Sequence, residues 1–441
     1  MNVLDHPLHR LPKYGDGIGL HRVQFLMRAC GIEPEDISRR AVAITGSNGK
    51  GSTARIAAAL LGTTGGPVGL FTSPHLYRYN ERFCINGEAV DDAALLKAMD
   101  AVQKAVVFYC AQHGDAVGAF EAQFVAALLM LQRCRWLVLE AGIGGRYDPV
   151  RLALAPAGAL VSLDLEHTAL LGNTLVEIAC DKLDATAPGG LVVLGENCIG
   201  LAGEIRAYAS LSAKRVEFVE PQGWHDEGVR NGRQHFSIAD SDFHFRDLSS
   251  SLVGRHQINN HAVAIALVRE RLRQSGAWPM PDAAARWRDA IADVAWPGRL
   301  ETICHDPLVV IDVGHTPEAI AAALAGFRAL AGDRDALLVT GGSRNKQVRE
   351  MLALLVPAFD QIICTAAHHN GLPAQTVAEM ARTMNLRANV NVCTSIGEAV
   401  ARARDVAGRS KRAVYVAGGL FLAAEFAEAW RGHDPAMLRF F

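Results

Sequence analysis

The chain lacks the marks of several protein classes. None of its nine cysteines, at 30, 84, 110, 134, 180, 198, 304, 364 and 393, forms a Cys-x-x-Cys pair, and the count is odd. A disulfide framework and a zinc cluster are therefore excluded, and reduced, mostly buried thiols in a cytoplasmic protein are expected. No sign of charge dominates. Lys plus Arg is 44 and Asp plus Glu is 46, a net charge of −2, which rules out a strongly basic nucleic-acid binder. No apolar run is long enough for a membrane span. The longest uncharged stretch, residues 56–77, is broken by Gly62, Gly65, Gly66 and Pro67 and reads as a helix end, a turn and a strand. The first residues lack a basic region followed by an apolar run, so no signal peptide is expected. Repeats and low-complexity tracts are missing too.

What is present is a globular balance over 441 residues, half hydrophobic and one fifth charged, with 41 glycines. That length suits two to three domains, and the glycines suit tight turns and phosphate-type loops. Short apolar runs are expected as strands at 41–45, 68–72, 136–140, 159–164, 191–194, 308–313, 336–340, 361–365, 390–393 and 413–417. Ala-rich helical stretches lie between them, among them 53–61, 119–132 and 317–330. This alternation predicts an α/β fold with parallel sheets covered on both sides. Residues 217–252 read as a small β-hairpin region, with alternation at 235–238 and 242–245. Ala295-Trp-Pro-Gly-Arg299 is the best boundary. It divides the chain into 1–296, with the β-rich subregion inside it, and 297–441.

The most informative stretch is Ala41-Val-Ala-Ile-Thr-Gly-Ser-Asn-Gly-Lys-Gly-Ser-Thr53. An apolar strand enters a Gly-rich turn and a helix leaves it. Gly46, Gly49 and Gly51 let backbone N–H groups turn toward an anion, and the helix N-terminus adds its dipole. Lys50 can reach the outer phosphates, and the Ser52 hydroxyl can bind Mg²⁺. The strict pattern GxxxxGK[ST] is not met, because Ile44 stands at its first Gly and Gly51 follows the Lys.

This loop variant resembles that of the Mur ligase superfamily, within it the folylpolyglutamate synthase and dihydrofolate synthase branch. Thr72-Ser-Pro-His-Leu with Glu81-Arg82 and Ile85-Asn-Gly87, Glu140-Ala-Gly-Ile-Gly-Gly-Arg-Tyr-Asp148, and Asp164-Leu-Glu-His167-Thr are similar to branch segments. So are His256-Gln-Ile-Asn-Asn260, Pro297-Gly-Arg299 and Asp312-Val-Gly-His315. They follow the family order across nearly the whole chain. The resemblance implies an N-terminal ATPase domain of P-loop type, a small embedded β region and a C-terminal Rossmann-like domain. It implies an ATP-dependent ligase that joins a carboxylate to an amine through an acyl phosphate. The expected substrates are dihydropteroate or a folate, with glutamate as the amine.

The resemblance also implies roles. Gly46, Asn48, Gly49, Lys50, Gly51, Ser52 and Thr53 would hold ATP, with Asn260 at the adenine, Arg299 on phosphate, and Asp312 and His315 nearby. Ser52, Glu140 and His167 would bind two Mg²⁺, and hard oxygen ligands suit that ion. Lys182 would be carbamylated by CO₂, turning a cation into an anion for the metal. Lys50, His167 and Lys182 form the expected catalytic set. Ser73, His75, Phe120 and Glu121 would face the acceptor. Arg151 departs from the branch pattern; its guanidinium either binds an additional carboxylate of the acceptor or is an outward-facing charge with no role. The expected protein is a cytoplasmic monomer without nucleic-acid or membrane partners.

The pattern drifts at Pro149-Val-Arg151, His315-Thr-Pro317, Arg344-Asn-Lys346-Gln and Lys182-Leu. Two alternatives therefore stay open. One is the same chemistry on a different, non-folate acid. The other is a nucleotide-binding switch without ligation, against which the set Glu140, His167 and Lys182 argues.

Overall fold

The computed structural model describes residues 3–239 and 244–440. Strands β1 (Ala41–Thr45), β2 (Val68–Phe71), β3 (Phe83–Ile85), β4 (Glu88–Ala89), β5 (Trp136–Glu140), β6 (Ala157–Leu160), β7 (Leu191–Leu194) and β8 (Arg215–Phe218) form one sheet. Its order is β4-β3-β2-β5-β1-β6-β7-β8. The ladders from β2 to β8 are parallel, and β3 and β4 extend the edge antiparallel.

Strand β1 explains the architecture. All five of its residues are buried. Ala41 and Ala43 join one apolar cluster with Val23, Leu26, Phe124 and Leu128. Val42 and Ile44 join another, with Ile56, Leu60, Ile258 and Leu267. Successive side chains point to opposite faces, so both faces carry helices and every strand residue must be apolar. Helices Lys50–Gly62 and Arg255–Gln274 cover one face, and His21–Ala29, Asp92–His113 and Ala119–Met130 the other.

A three-stranded antiparallel sheet, β11-β10-β9, comprises β9 (Trp224–Arg230), β10 (Arg233–Ala239) and β11 (His244–Ser250). Its apolar face, with Phe236, Ile238, Phe245 and Leu248, packs into the cluster of helix Arg255–Gln274, and Phe245 stacks on the fully buried Trp287 at 5.7 Å. The third sheet runs β12 (Glu301–His305), β13 (Leu308–Ile311), β17 (Ala413–Ala417), β14 (Ala336–Thr340), β15 (Gln361–Cys364) and β16 (Asn389–Val392) in spatial order. It too carries an apolar cluster on each face.

Several expectations need correction. The expected hairpin region is a three-stranded sheet beginning at Trp224, and residues 217–218 belong instead to β8, which pairs parallel with β7. Of the alternation expected at 242–245, residues 242 and 243 lie outside the described residues. The strand expected at 159–164 ends at Leu160, because the chain there leaves the ladder to wrap the phosphate loop. The helix expected from 53 starts at Lys50. Strands β3, β4 and β12 were not expected, being two to five residues long and paired antiparallel at or beside a sheet edge.

In the first sheet β1 lies between β5 and β6, so the connections leave it in opposite directions. That crevice at the carboxyl ends of the strands is where open α/β sheets bind ligands.

Candidate active site

The loop after β1 is built to leave donors free. Gly46 and Gly49 have φ of 147° and 82°, values an L side chain rarely adopts. A Cβ on Gly49 would stand 2.5 Å from Asn260 Oδ1, and one on Gly51 3.1 Å from Trp296 Nε1. Loop, helix Arg255–Gln274 and lobe junction thus meet with no space between them. Ser162 pins the turn: its carbonyl accepts from Ser47 N at 2.9 Å and its Oγ from Asn48 N at 2.8 Å. Lys50 Nζ folds back onto the carbonyls of Gly46 at 2.8 Å and Ser47 at 3.3 Å. The hydroxyls of Ser52 and Thr53 are buried at the helix start and have no hydrogen-bond partner among the described residues. Buried hydroxyls are normally satisfied, so a ligand bound at this helix start would supply what these two lack.

Glu140 ends β5, next to β1, and is 3% exposed. Its Oε2 accepts from the Ser73 N–H at 3.0 Å. Burial pushes its pKa up to about 7, against the pull of Lys50, the Ser73 bond, Arg299 and Arg82. Asp148 shapes the Gly-Gly-Arg loop from within, accepting from the N–H groups of Gly142, Ile143 and Val150. His75 is buried. Its Nδ1 accepts from Arg82 Nε at 2.9 Å and its Nε2 lies 2.6 Å from the Arg439 carbonyl. Burial and the neighbouring Arg82 push its pKa down to about 3, so the ring is neutral.

On the other flank of β1, Lys182 is 2% exposed and donates to Glu166 Oε1 at 3.0 Å. Desolvation, then Lys50, lowers its pKa. Burial alone would raise the Glu166 pKa, but Lys50 and Lys182 outweigh it and the net shift is downward. His167 adopts φ 48° and sets its Nε2 4.0 Å from Glu166 Oε2. Asp164 faces the carboxyl group of Glu318 from the second lobe, and burial followed by that neighbour raises its pKa to about 6.

The second lobe supplies the opposite wall. Arg299 is desolvated, which lowers its pKa, and feels both Asp312 and Glu140. Asp312 accepts from the N–H groups of Leu300 at 3.1 Å and Gly314 at 2.7 Å. His315 stands at the rim, within electrostatic reach of Lys346, Arg299 and Lys50. Lys346 in turn feels Glu166. Asn260 Nδ2 donates to Gln257 Oε1 at 2.9 Å.

The structure therefore gathers Gly46, Asn48, Gly49, Lys50, Gly51, Ser52, Thr53, Glu140, His167, Lys182, Asn260, Arg299, Asp312 and His315 around one cleft. Ser73 enters it through its backbone. The remaining acceptor candidates are engaged elsewhere. Glu121 grips Arg22 through both carboxylate oxygens and accepts from Gly118 N at 2.7 Å. Arg151 donates to the Arg146 carbonyl at 2.8 Å. Phe120 lies against Gly142 and Phe71. Sequence reasoning did not single out Glu166, Ser162, Arg82 or Trp296. Glu166 and Arg82 sit inside recognisable segments, but nothing in their spacing marks a role.

A phosphate loop and carboxylate on one lobe, faced by an Arg and a Lys from a second, define an ATP-dependent ligase of the Mur type, which forms amide bonds and releases ADP. The family model "Mur ligase, glutamate ligase domain" matches residues 298–420. The chain is 31% identical to the folylpolyglutamate synthase of Lacticaseibacillus casei over 362 residues, 81% of this chain and 82% of that one. It is 31% identical to the dihydrofolate synthase/folylpolyglutamate synthase of Mycobacterium tuberculosis over 457 residues, 94% and 90% of the two chains. The apo form of the L. casei enzyme superposes with a TM-score of 0.82 at 27% identity over 96% of this chain and 98% of that one. The M. tuberculosis folylpolyglutamate synthase complexed with ADP and AMPPCP shares the fold, with a TM-score of 0.85 at 24% identity over 97% of both chains. The chain belongs to the folylpolyglutamate synthase/dihydrofolate synthase family.

Among the described residues no helix is long and apolar enough to cross a membrane.

Proposed function

We propose that the protein adds glutamate to dihydropteroate or a reduced folate, with ATP as co-substrate. The observation that carries this reading is the pair of unpartnered buried hydroxyls, Ser52 and Thr53, beside Lys50 and Glu140. The names of the relatives carry the choice of acid and amine.

The acceptor carboxylate attacks the γ-phosphorus of ATP, ADP leaves, and an acyl phosphate forms. The amine then attacks the acyl carbon and inorganic phosphate departs. The chain's task is alignment and charge neutralisation. Lys50 releases the loop carbonyls and turns to the outer phosphates. The N-terminus of helix Lys50–Gly62 receives their negative charge. Arg299 holds phosphate from the other lobe, Asp312 and His315 orient the nucleotide, and Asn260 meets the base.

The oxygen donors fit Mg²⁺. Ser52 and Glu140 offer hard ligands, and Mg²⁺ typically takes one or two protein oxygens with substrate phosphates and water. Among the described residues no group of three or more His, Cys, Asp or Glu side chains that could hold a metal ion is found. A second ion would rest on His167, with Glu166, or the carbamate of Lys182, supplying negative charge. Bound there, Mg²⁺ would neutralise charge on the transferring phosphoryl group. Desolvation favours the neutral Lys182 amine, the form that captures CO₂, but carbamylation must open the ion pair to Glu166. An intact-mass increase of one CO₂ per chain in bicarbonate buffer would check it, and its absence in active protein would remove it.

We place the domain division at 296/297 and the hinge at Trp296-Pro297-Gly298, in a cytoplasmic monomer. An acyl phosphate must be kept from water, so closure at that hinge is part of the reading. Phe120 offers its ring on the acceptor side, and Glu121 contributes by fixing the N-terminal loop through Arg22. The test is a panel of dihydropteroate, tetrahydrofolate and unrelated acids, each with glutamate and with other amines. ADP release is expected with the pterin acids and glutamate. Release only with a non-pterin acid would overturn the substrate assignment and leave the ligase class intact.

A further inference from the structure

We propose that residues 438–440, contributed by the second lobe, act as a positioning strap for the loop that holds Glu140. Phe440 is 2% exposed. Its ring stacks on His75 at 6.3 Å with an interplanar angle of 14°. The other side of the ring meets Phe421 at 4.7 Å and His369 at 5.3 Å, both from the second lobe. A backbone clamp accompanies the ring. Because His75 Nδ1 accepts from Arg82, its Nε2 carries the proton and donates to the Arg439 carbonyl at 2.6 Å. Arg82 Nη2 donates to the Phe440 carbonyl at 3.4 Å, while its Nη1 holds Gln123 Oε1 at 2.9 Å.

The strap is anchored at its own end. Asp434 caps the turn Pro435–Met437, Arg439 Nη1 donates to the Ala436 carbonyl at 2.7 Å, and Leu438 packs on the cluster of helix Leu420–Arg431. The buried carboxylate of Glu425 accepts from the N–H groups of His368 and His369, which fixes the backbone behind the His369 ring. A continuous path therefore runs from the second lobe through Phe440 to His75. Two residues before His75, the Ser73 N–H holds Glu140. Arg439 and Phe440 do not touch the reacting atoms. They set where Ser73, and through it Glu140, stands relative to the second lobe.

The catalytic consequence rests on the reading that Glu140 serves the phosphate site. The test compares the parent protein with Phe440→Ala, Phe440→Leu, and a control core substitution, Phe426→Leu, of similar effect on melting temperature. In Phe440→Ala, amide hydrogen exchange should rise across residues 72–82 and stay unchanged at 46–53. The kcat for ADP release should fall about tenfold to hundredfold, as for a misplaced catalytic group. The KM for ATP should move less than about twofold, since ground-state binding is untouched. Phe440→Leu, which refills the space, should recover most of both. Parent-like exchange at 72–82 in Phe440→Ala would overturn the proposal, as would an equal kcat loss in Phe426→Leu. Raised exchange at 72–82 in a protein that releases no ADP with any acid would uphold the strap and remove the ligase reading.

Discussion

The two sides of the cleft handle their polar atoms differently. On the nucleotide side, Ser52 and Thr53 hydroxyls are buried and unpaired, and Lys50 rests on nothing stronger than loop carbonyls. On the acceptor side, Glu121 is locked to Arg22 and His75 is held on both nitrogens. Burying a polar atom without a partner is unfavourable, and at the start of the helix that leaves the phosphate loop a bound ligand would relieve that cost for Ser52 and Thr53. The difference separates residues that wait for substrate from residues that hold the walls.

The strongest test of that contrast is Lys50→Ala. ADP release should fall roughly 10²–10³-fold, the usual loss when a phosphoryl-stabilising charge is removed. The melting temperature should barely change. A coupled ADP assay with a thermal melt checks both, and a stability loss without a rate loss would put Lys50 among the walls.

Asp184 is the counterpart in the scaffold, accepting from Arg146 at 2.9 Å, Lys214 at 3.0 Å and Tyr208 at 2.9 Å. Asp184→Asn should cost about 3 kcal/mol in urea unfolding, since it leaves the buried Lys214 uncompensated. Burial pushes the Asp184 pKa up, but the bonds from Arg146, Lys214 and Tyr208 carry it below the ordinary 3.8. Its stabilisation is therefore complete above pH 3.8 and is lost as pH falls through the lower, folded-state pKa. The stability gap between parent and variant should narrow in that acid range and hold constant above it.

Glu121→Gln should cost about 2 kcal/mol through weakened bonds to the desolvated Arg22. Substrate KM values should stay close to those of the parent. A raised KM for the acceptor acid at unchanged stability would move Glu121 to the waiting class. The smallest effect is expected of Arg151→Ala, about 1 kcal/mol or less for one hydrogen bond to a carbonyl. Its steady-state constants should match the parent in the same assay.

The legibility of the sequence follows the same divide. The phosphate loop could be read because strand, glycine turn and helix are contiguous and each step has a local physical cause. Strand β1 could be read because burial on both faces forces an unbroken apolar run. The ion pair of Lys182 with Glu166 could not, since it joins the loop after β6 to the end of helix Leu175–Leu183, sixteen residues on, and no local spacing marks that return. The seat of Phe440 on His75 is further still from local pattern, joining the last described residues to a loop after β2. Residues 217–218 were misread for a related reason. A short edge strand with Arg215 and Glu217 in it carries no apolar run to show that it completes a parallel sheet.

Trp296 has a practical consequence of its own. Its indole nitrogen lies 3.1 Å from where a Cβ would sit on Gly51, inside the turn that begins helix Lys50–Gly62. The chain thus carries an intrinsic fluorophore at the seam between its lobes, touching the segment that nucleotide would occupy. Of its other five tryptophans, at 136, 224, 278, 287 and 430, the first four share the apolar cluster that Trp296 packs against, so Trp296→Phe is needed to isolate its signal. The change in emission between the parent and Trp296→Phe gives a label-free gauge of loop occupancy, usable before any substrate has been identified.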